Sequence, residues 1–163
     1  MNPHLVMNYF RGVAKAVEED WQRAAHSVGL TQAEQHTLWV IFFEGRASVS
    51  TIAKYGLWDR STVMQVVKRL KEKGLVYIEK DEKDLRVSYV MLTDEGKKRR
   101  ADTRKANYDF LNFIEKQSEE DREGFSNLLK FLEKINRNYY GDEFIEWVEQ
   151  TEEKEKRHSN FSS

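Results

Sequence analysis

The stretch of residues 48–96 constrains the fold more than any other part of the sequence. It predicts two short helices over 48–57 and 59–73, separated by a break, and then two strands over 75–80 and 87–92. A charged turn joins the two strands. A helix, a second helix and a β-hairpin in this order indicate a winged helix-turn-helix, in which the second helix is the recognition helix.

The recognition helix has one apolar face and one polar face. Asp59 can cap its first turn, and Gly74 can end it because glycine readily takes a left-handed conformation. The apolar residues recur at helical spacing and should face the core: Val63, Val66, Val67 and Leu70. The polar face and its flanks hold Arg60, Ser61, Thr62, Gln65, Lys68, Arg69 and Lys71.

Positive charge is concentrated on this stretch, although the whole chain has a net charge of −1. Residues 60–100 hold 12 basic and 7 acidic residues, whereas residues 101–163 hold 10 basic and 15 acidic residues. A basic face that coincides with a helix-turn-helix is typical of a surface that binds DNA phosphates. A solvated surface explains a run of charges but not this coincidence. A winged helix that binds an acidic protein partner is the alternative function.

The residues around the wing resemble the signature of the MarR family of bacterial transcription regulators. They are Leu70 with Lys73-Gly74-Leu75, Asp84-x-Arg86, and Leu92-Thr93-x-x-Gly96. The resemblance extends over about residues 10–150. It implies a two-fold homodimer that binds double-stranded DNA, and we expect this homodimer to act as a repressor. We also expect the protein in the cytoplasm, on the nucleoid, because the amino terminus has no long apolar run behind basic residues. One departure lies in the wing, where Leu85 precedes Arg86 and many family members have two basic residues.

The recognition helix should enter a major groove of DNA with its first turns foremost. The residues predicted nearest the base edges are Arg60, Ser61, Thr62 and Gln65. Gln65 can make a bidentate contact with adenine, and Arg60 can contact guanine or phosphate. Lys68 and Arg69 lie further along the helix and are predicted to contact phosphates.

The wing should reach the neighbouring minor groove. Arg86 is the predicted inserted cation, because a narrow minor groove has a strongly negative potential. Asp84 can hold the Arg86 guanidinium in place, and Lys83 lies in the same turn. At the start of the helix-turn-helix, Ser48 and Ser50 are predicted to add hydrogen bonds to phosphates.

Long amphipathic helices are predicted on both sides of the winged unit, and they have more apolar surface than that unit can cover. We therefore expect residues 1–30 and 101–150 to form a helical dimerisation region and residues 31–100 to form the DNA-binding region of one structural domain. An intramolecular helical bundle is the alternative. Residues 151–163 are charged and then serine-rich, which predicts a disordered tail. The fold class is thus mainly α, with a two- to three-stranded wing.

The pattern after the wing predicts three further helices. Thr93 should cap a single helix that continues to about Lys116. Its basic run at 97–100 is either a DNA contact or an exposed face of like charges. A second helix should begin at residue 118, and a short one should follow Gly141.

The helix that precedes the winged stretch begins with a capping box formed by Thr31 and Glu34. It also contains His36 and Trp39. These two residues could line a ligand pocket, but we interpret them as packing residues, because buried aromatic side chains more often serve the core or an interface.

The sequence favours no catalytic or metal-binding chemistry. The chain has no cysteine, and its four histidines lack the spacing of metal ligands. It has no nucleophile motif and no phosphate-binding glycine loop, so we do not expect an enzyme or a cofactor. No apolar run is long enough for a membrane span, so we expect no membrane partner. A small-molecule effector is common in the MarR family, but the residues identify none.

Overall fold

The computed structural model describes the backbone of residues 1–160 and the side chains of residues 1–155. This part of the chain is mainly helical, as the sequence predicts. In chain order the elements are α1 (Pro3–Ser27), α2 (Gln32–Glu44), β1 (Ala47–Ser48), α3 (Val49–Gly56), α4 (Arg60–Glu72), β2 (Val76–Lys80), β3 (Ser88–Leu92), α5 (Asp94–Thr103), α6 (Asp109–Glu120), α7 (Arg122–Tyr140) and α8 (Asp142–Asn160). Within residues 1–160, no helix combines the length and the apolar character that a membrane span requires.

The helix-turn-helix is formed by α3 and α4, at the predicted positions. Ser48 caps α3, and Leu57 ends it with a left-handed backbone at φ 55°. Asp59 then caps α4 by accepting a hydrogen bond of 2.8 Å from the N–H of Thr62. The turn between the two helices is therefore short, and local signals define both of its ends.

The wing is a three-stranded antiparallel sheet in the order β1-β3-β2. Val76 of β2 lies opposite Leu92 of β3, and Ala47 of β1 lies opposite Val90 on the other edge of β3. The sequence predicted two or three strands in the wing, and the structure has three. β1 directly precedes α3, so the sheet connects the wing to the start of the helix-turn-helix.

The hydrophobic core lies beneath the winged unit, with α2 at its centre. Seven of the 13 residues of α2 are buried, because α1, α3, α4 and α5 all pack around it. The core side chains that α2 shares with its neighbours include Leu38, Ile41, Ile52, Val63, Leu70, Leu75 and Val90. The four predicted apolar residues of α4 all belong to this core.

Gly96 allows α5 to pack closely against the chain that follows the recognition helix. A Cβ atom at this position would lie 2.0 Å from the backbone oxygen of Leu75. Thr93 reinforces the same junction, since its hydroxyl donates a hydrogen bond of 2.7 Å to the backbone oxygen of Gly74. The threonine and the glycine of this motif therefore join the winged unit to α5.

The prediction of one helix from Thr93 to about Lys116 is wrong, because the chain breaks after α5 and restarts as α6. The buried carboxylate of Asp20, on α1, causes the restart. It accepts hydrogen bonds of 3.1 Å each from the backbone N–H groups of Asp109 and Phe110. It thus satisfies free donors at the start of α6. The helix predicted from residue 118 also begins later, after a cap at Asp121.

The prediction of a short last helix and a disordered tail from residue 151 is wrong as far as residue 160. α8 continues to Asn160, because its charged residues have partners on α2 and α5. Lys154 Nζ donates a hydrogen bond of 2.9 Å to the backbone oxygen of Phe43, and Glu155 pairs with Arg100 and Arg104. The rest of the predicted tail, residues 161–163, lies outside the described residues.

Trp147 is the apolar anchor of α8. Its ring stacks on Tyr55 of α3, with 4.6 Å between the ring centroids. Its indole N–H donates a hydrogen bond of 2.9 Å to Glu44 at the end of α2. Glu143, one turn earlier, pairs with Lys54 of α3. Through these contacts α8 packs against α3 and the end of α2.

Glu34, the third residue of α2, connects this helix to the recognition helix. Its side chain is only 1% exposed. The carboxylate accepts hydrogen bonds from the N–H of Thr31 at 2.9 Å and from Nζ of Lys73 at 2.7 Å. It also lies 3.4 Å from Nε of Arg69. The predicted capping box is therefore present, and the same carboxylate binds Arg69 of α4 and Lys73, which directly follows α4.

These partners lower the pKa of Glu34 despite its burial. Burial alone raises the pKa, but the hydrogen bonds from Lys73 and Thr31 and the charges of Lys73 and Arg69 outweigh it. The pKa of the carboxyl is therefore below its ordinary value of 4.5. A group with a lowered pKa in the folded state stabilises the fold above its unfolded-state pKa, and this contribution is lost as the pH falls through the folded-state pKa.

We therefore expect Glu34→Gln to lower the free energy of unfolding by about 1–3 kcal/mol at about pH 7. The amide can still accept from Thr31, so the change removes the ion pairs and leaves the cap. The difference from the unmodified protein should shrink as the pH falls below 4.5. Urea denaturation at one protein concentration, repeated from about pH 7 to about pH 3, measures it.

Glu72→Gln is the matched control, because Glu72 pairs with Lys68 at 4.0 Å on the exposed face of the same helix. Exposed ion pairs contribute little, so this variant should change the free energy of unfolding by less than about 0.5 kcal/mol. Equal effects of the two substitutions would contradict the role assigned to Glu34.

Candidate DNA-binding surface

The first turn of α4 is held by a cap that also involves its hydroxyl side chains. The carboxylate of Asp59 accepts hydrogen bonds from the hydroxyls of Ser61 and Thr62, the latter at 2.6 Å. These bonds hold the pKa of Asp59 well below its ordinary value. Because the hydroxyl hydrogens point to Asp59, Ser61 and Thr62 present acceptor lone pairs to an incoming ligand.

Arg60 and Ser50 lie together at the start of the surface. The guanidinium of Arg60 donates a hydrogen bond to the hydroxyl of Ser50, and both residues are exposed. Ser48 has a different position, because its hydroxyl accepts from the N–H of Thr51 at 3.1 Å and contacts the Thr51 hydroxyl at 2.9 Å. Ser48 is thus a half-buried cap, whereas Ser50 is accessible.

The middle of α4 separates the predicted contacts into two groups. Gln65 and Lys68 are exposed on the outer face of the helix. Arg69 instead extends along the side of the helix to the buried carboxylate of Glu34. The arrangement favours Gln65 and Lys68 as groups that can contact a ligand, and it gives Arg69 a role in holding α4 against α2.

The turn of the wing is built around two aspartates. The carboxylate of Asp81 accepts hydrogen bonds from the backbone N–H groups of Lys83 and Asp84, at 2.8 and 3.0 Å. The carboxylate of Asp84 accepts from the N–H of Arg86 at 3.1 Å. The chain closes the loop with a hydrogen bond of 2.9 Å from the N–H of Asp81 to the oxygen of Val87.

Asp84 and Arg86 form a bidentate ion pair at the tip of the wing. Nε of Arg86 lies 2.9 Å from one carboxylate oxygen, and a terminal nitrogen lies 3.0 Å from the other. The arginine side chain is nevertheless 90% exposed. The hydrogen bond from Arg86 lowers the pKa of Asp84, and the same bond raises the pKa of Arg86. The predicted pairing is therefore present, and the second terminal nitrogen of the guanidinium points away from the pair.

Arg46 lies beside the wing, although the sequence did not predict it there. Its guanidinium lies 3.8 Å from the ring centroid of Tyr89 on β3 and 3.8 Å from a carboxylate oxygen of Asp81. It is half exposed at the base of the wing. No sequence signal predicts this position, because the stacking partner lies 43 residues away along the chain.

The basic run at 97–100 is not a uniform exposed face. Lys97 pairs with Asp94 at 3.2 Å, and Arg99 donates a hydrogen bond of 3.0 Å to the backbone oxygen of Val28. Arg100 is buried, with its guanidinium 3.8 Å from the ring centroid of Phe42. Burial and the nearby charge of Arg104 lower the pKa of Arg100 to about 10. At least two of the four basic residues therefore have structural roles.

The interpretation of His36 and Trp39 as packing residues is confirmed. The His36 ring lies edge-to-face between Trp21 of α1 and Trp58 of the helix-turn-helix, at 5.2 and 5.3 Å between centroids. Burial lowers the pKa of His36, although a backbone hydrogen bond with Tyr55 opposes this. The indole of Trp39 donates a hydrogen bond of 3.1 Å to Thr103. Among the described side chains, no three His, Cys, Asp or Glu residues cluster as metal ligands would.

A family model and a known regulator both match this sequence. Residues 28–86 match a family model described as MarR family. The HTH-type transcriptional regulator Hpr of Exiguobacterium sibiricum is 33% identical over 150 residues, which are 91% of this chain and 79% of that protein.

Two solved structures have the same fold. The transcriptional regulator BldR from Sulfolobus solfataricus matches with a TM-score of 0.68 at 21% identity, over 85% of this chain and 99% of that one. CouR from Rhodococcus jostii RHA1, bound to p-coumaroyl-CoA, matches with a TM-score of 0.66 at 18% identity, over 84% and 93% of the two chains.

Asp84 either positions Arg86 for DNA binding or only repels phosphates, and the two roles predict opposite effects of Asp84→Ala on DNA affinity. Asp84→Ala should weaken binding to duplex DNA by roughly two- to ten-fold, because the freed Arg86 side chain then loses rotamers on binding. Arg86→Ala should weaken binding more, and the double variant should lose little beyond that. Fluorescence anisotropy titrations on one duplex at fixed salt measure all three.

Glu82→Ala is the matched control for this series. Glu82 is an exposed acidic residue of the same turn, and its removal should leave binding unchanged or tighten it, because phosphate repulsion decreases. If Asp84→Ala tightens binding as Glu82→Ala does, Asp84 acts only as a repulsive charge, and the orienting role is wrong.

Proposed function

Since the chain belongs to the MarR family of DNA-binding transcription regulators, we propose that it acts as a homodimeric repressor that binds an inverted-repeat operator. The recognition helix α4 enters the major groove, and the wing enters the adjacent minor groove. The bound dimer then covers promoter DNA in the cytoplasm and blocks transcription. The presence of p-coumaroyl-CoA in the CouR structure supports a small molecule as the signal that releases such a repressor.

The observation that supports this proposal most strongly is the Asp84–Arg86 pair. An aspartate in a DNA-facing turn would repel phosphates if it acted alone. Here it binds the guanidinium through two hydrogen bonds and leaves the arginine side chain exposed. A cation that is held in an exposed position at the tip of the wing fits a narrow minor groove, where the negative potential is strongest.

The exposed face of α4 supports the same function. Arg60, Gln65 and Lys68 are exposed along one side of a helix whose opposite side is buried in the core. An amide side chain can recognise adenine, while the cations can contact guanine or the phosphates beside it. An acidic protein partner would require cations but would not require this amide.

A dimer is supported by apolar side chains that remain exposed on the helices outside the winged unit. They lie on α1, α6 and α7, and several are large: Leu5, Phe10, Val13, Leu111, Phe113, Leu128, Leu129, Phe131, Tyr139 and Tyr140. A monomer rarely exposes so many large apolar groups on adjacent helices. A second copy of the chain related by a two-fold axis would bury them, and it would also present two recognition helices to the DNA.

Sedimentation equilibrium at about micromolar concentration should therefore give about twice the chain mass of 19.4 kDa. Leu129→Glu should weaken the dimer by about 30-fold or more, because a buried charge would lie in an apolar interface. Lys130→Glu, at the neighbouring exposed position, is the matched control and should remain dimeric. A monomeric unmodified protein, or equal behaviour of the two variants, would contradict this interface.

Selection from a random duplex pool should recover an inverted repeat with half-site centres about 10–10.5 base pairs apart. Gln65→Ala should change the preferred base at one position per half-site and cost about 1–3 kcal/mol on the original site. Lys68→Ala should weaken binding to all sequences alike and reduce the salt dependence by about one unit of slope per chain.

These two variants serve as controls for each other, because both remove exposed side chains from the same helix. Identical base preferences for Gln65→Ala and the unmodified protein would contradict base recognition by Gln65. A single asymmetric half-site occupied by one chain would contradict the dimeric mode of binding. A protein that prefers an acidic polypeptide to duplex DNA would favour the alternative function.

A further inference from the structure

Met64 is an apolar side chain on the polar face of the recognition helix. The other apolar residues of α4, all of which the structure describes, are buried in the core, whereas Met64 is 62% exposed. It lies one turn after Arg60 and one turn before Lys68, and both of these cations are exposed. Met64 therefore has no role in the core, and it stands between two groups that are suited to phosphates.

We propose that Met64 recognises the 5-methyl group of a thymine in the operator. This inference rests on the proposed entry of α4 into the major groove. The methyl of thymine is the one apolar group on the base edges of that groove, and apolar side chains are its usual protein partners. Methionine suits this role because its unbranched, polarizable side chain adapts to the position of its target.

The neighbouring residues define where the thymine lies. Gln65 follows Met64 directly and is the candidate for a bidentate contact with adenine. Because Met64 and Gln65 are consecutive residues of α4, their side chains should contact adjacent bases or the two bases of one pair in the same half-site. The recognised half-site therefore contains an adenine for Gln65 and a thymine for Met64, either in one A·T pair or in two neighbouring pairs.

The test removes the methyl group from the DNA rather than from the protein. The operator recovered by selection is synthesised with each thymine replaced in turn by deoxyuridine, which preserves every hydrogen-bonding group and lacks only the methyl. Each half-site should contain one thymine whose methyl group matters. Replacing this thymine in one half-site should weaken binding by the unmodified dimer about four-fold, and replacing it in both half-sites should weaken binding about 15-fold. Affinities come from fluorescence anisotropy at fixed salt.

The protein variants complete the cycle. Met64→Ala should bind the thymine operator more weakly and should lose nothing further on the deoxyuridine operator. Met64→Leu keeps an apolar side chain of similar reach and should regain most of the sensitivity. Gln65→Ala is the matched control, because it should bind more weakly overall but remain fully sensitive to deoxyuridine. Met64 is exposed, so none of these changes disturbs the core.

The outcomes separate this inference from the proposed function. If the unmodified protein is insensitive to deoxyuridine at every position, or if Met64→Ala keeps the full sensitivity, the assignment of Met64 is wrong. If Gln65→Ala and Lys68→Ala also bind like the unmodified protein, α4 does not enter the groove, and the proposed mode of DNA binding fails with it.

Discussion

The arrangement of the candidate DNA-binding surface depends on one buried carboxylate. Glu34 completes the cap of α2 and binds Lys73 and Arg69 near the end of α4. A carboxylate with 1% exposure is stable only with such partners. The central helix and the recognition helix are therefore fixed to each other by charge as well as by the packed apolar face of α4. The direction in which α4 presents the exposed side chains of Gln65 and Lys68 follows from this attachment.

Features that depend on neighbouring residues were predictable from the sequence. The start of α4 follows from Asp59, which bonds to residues two and three positions later. The ion pair of Asp84 with Arg86 was predictable for the same reason, since two residues separate the partners. The apolar face of α4 required only helical periodicity. The MarR resemblance gave the order of helices and strands, and the winged unit matched it with small changes at the ends of its elements.

Features that depend on distant partners were not predictable. Nothing in the sequence indicated the ion pair between Arg69 and Glu34, because 35 residues separate the two partners. The break before α6 depends on Asp20, which lies 89 residues from Asp109. The charges after residue 151 resembled a solvated tail, yet Glu155 pairs with Arg100 of α5 and with Arg104, which directly follows α5. In each case a charged side chain pairs with a group that only the tertiary fold brings close. Without that fold, a charged residue is predicted to be exposed to solvent.

The position of α8 has a consequence for the order in which the protein forms during translation. Its contacts connect residues far apart, such as Trp147 with Glu44, which are separated by 103 positions. α8 has 19 residues, so its synthesis takes about 1–4 seconds at about 5–20 residues per second. Until α8 has been made and has docked, the surface of Tyr55 and Phe43 that faces Trp147 lacks its cover. Docking of α8 is therefore the step that removes this aromatic surface from contact with other newly made proteins.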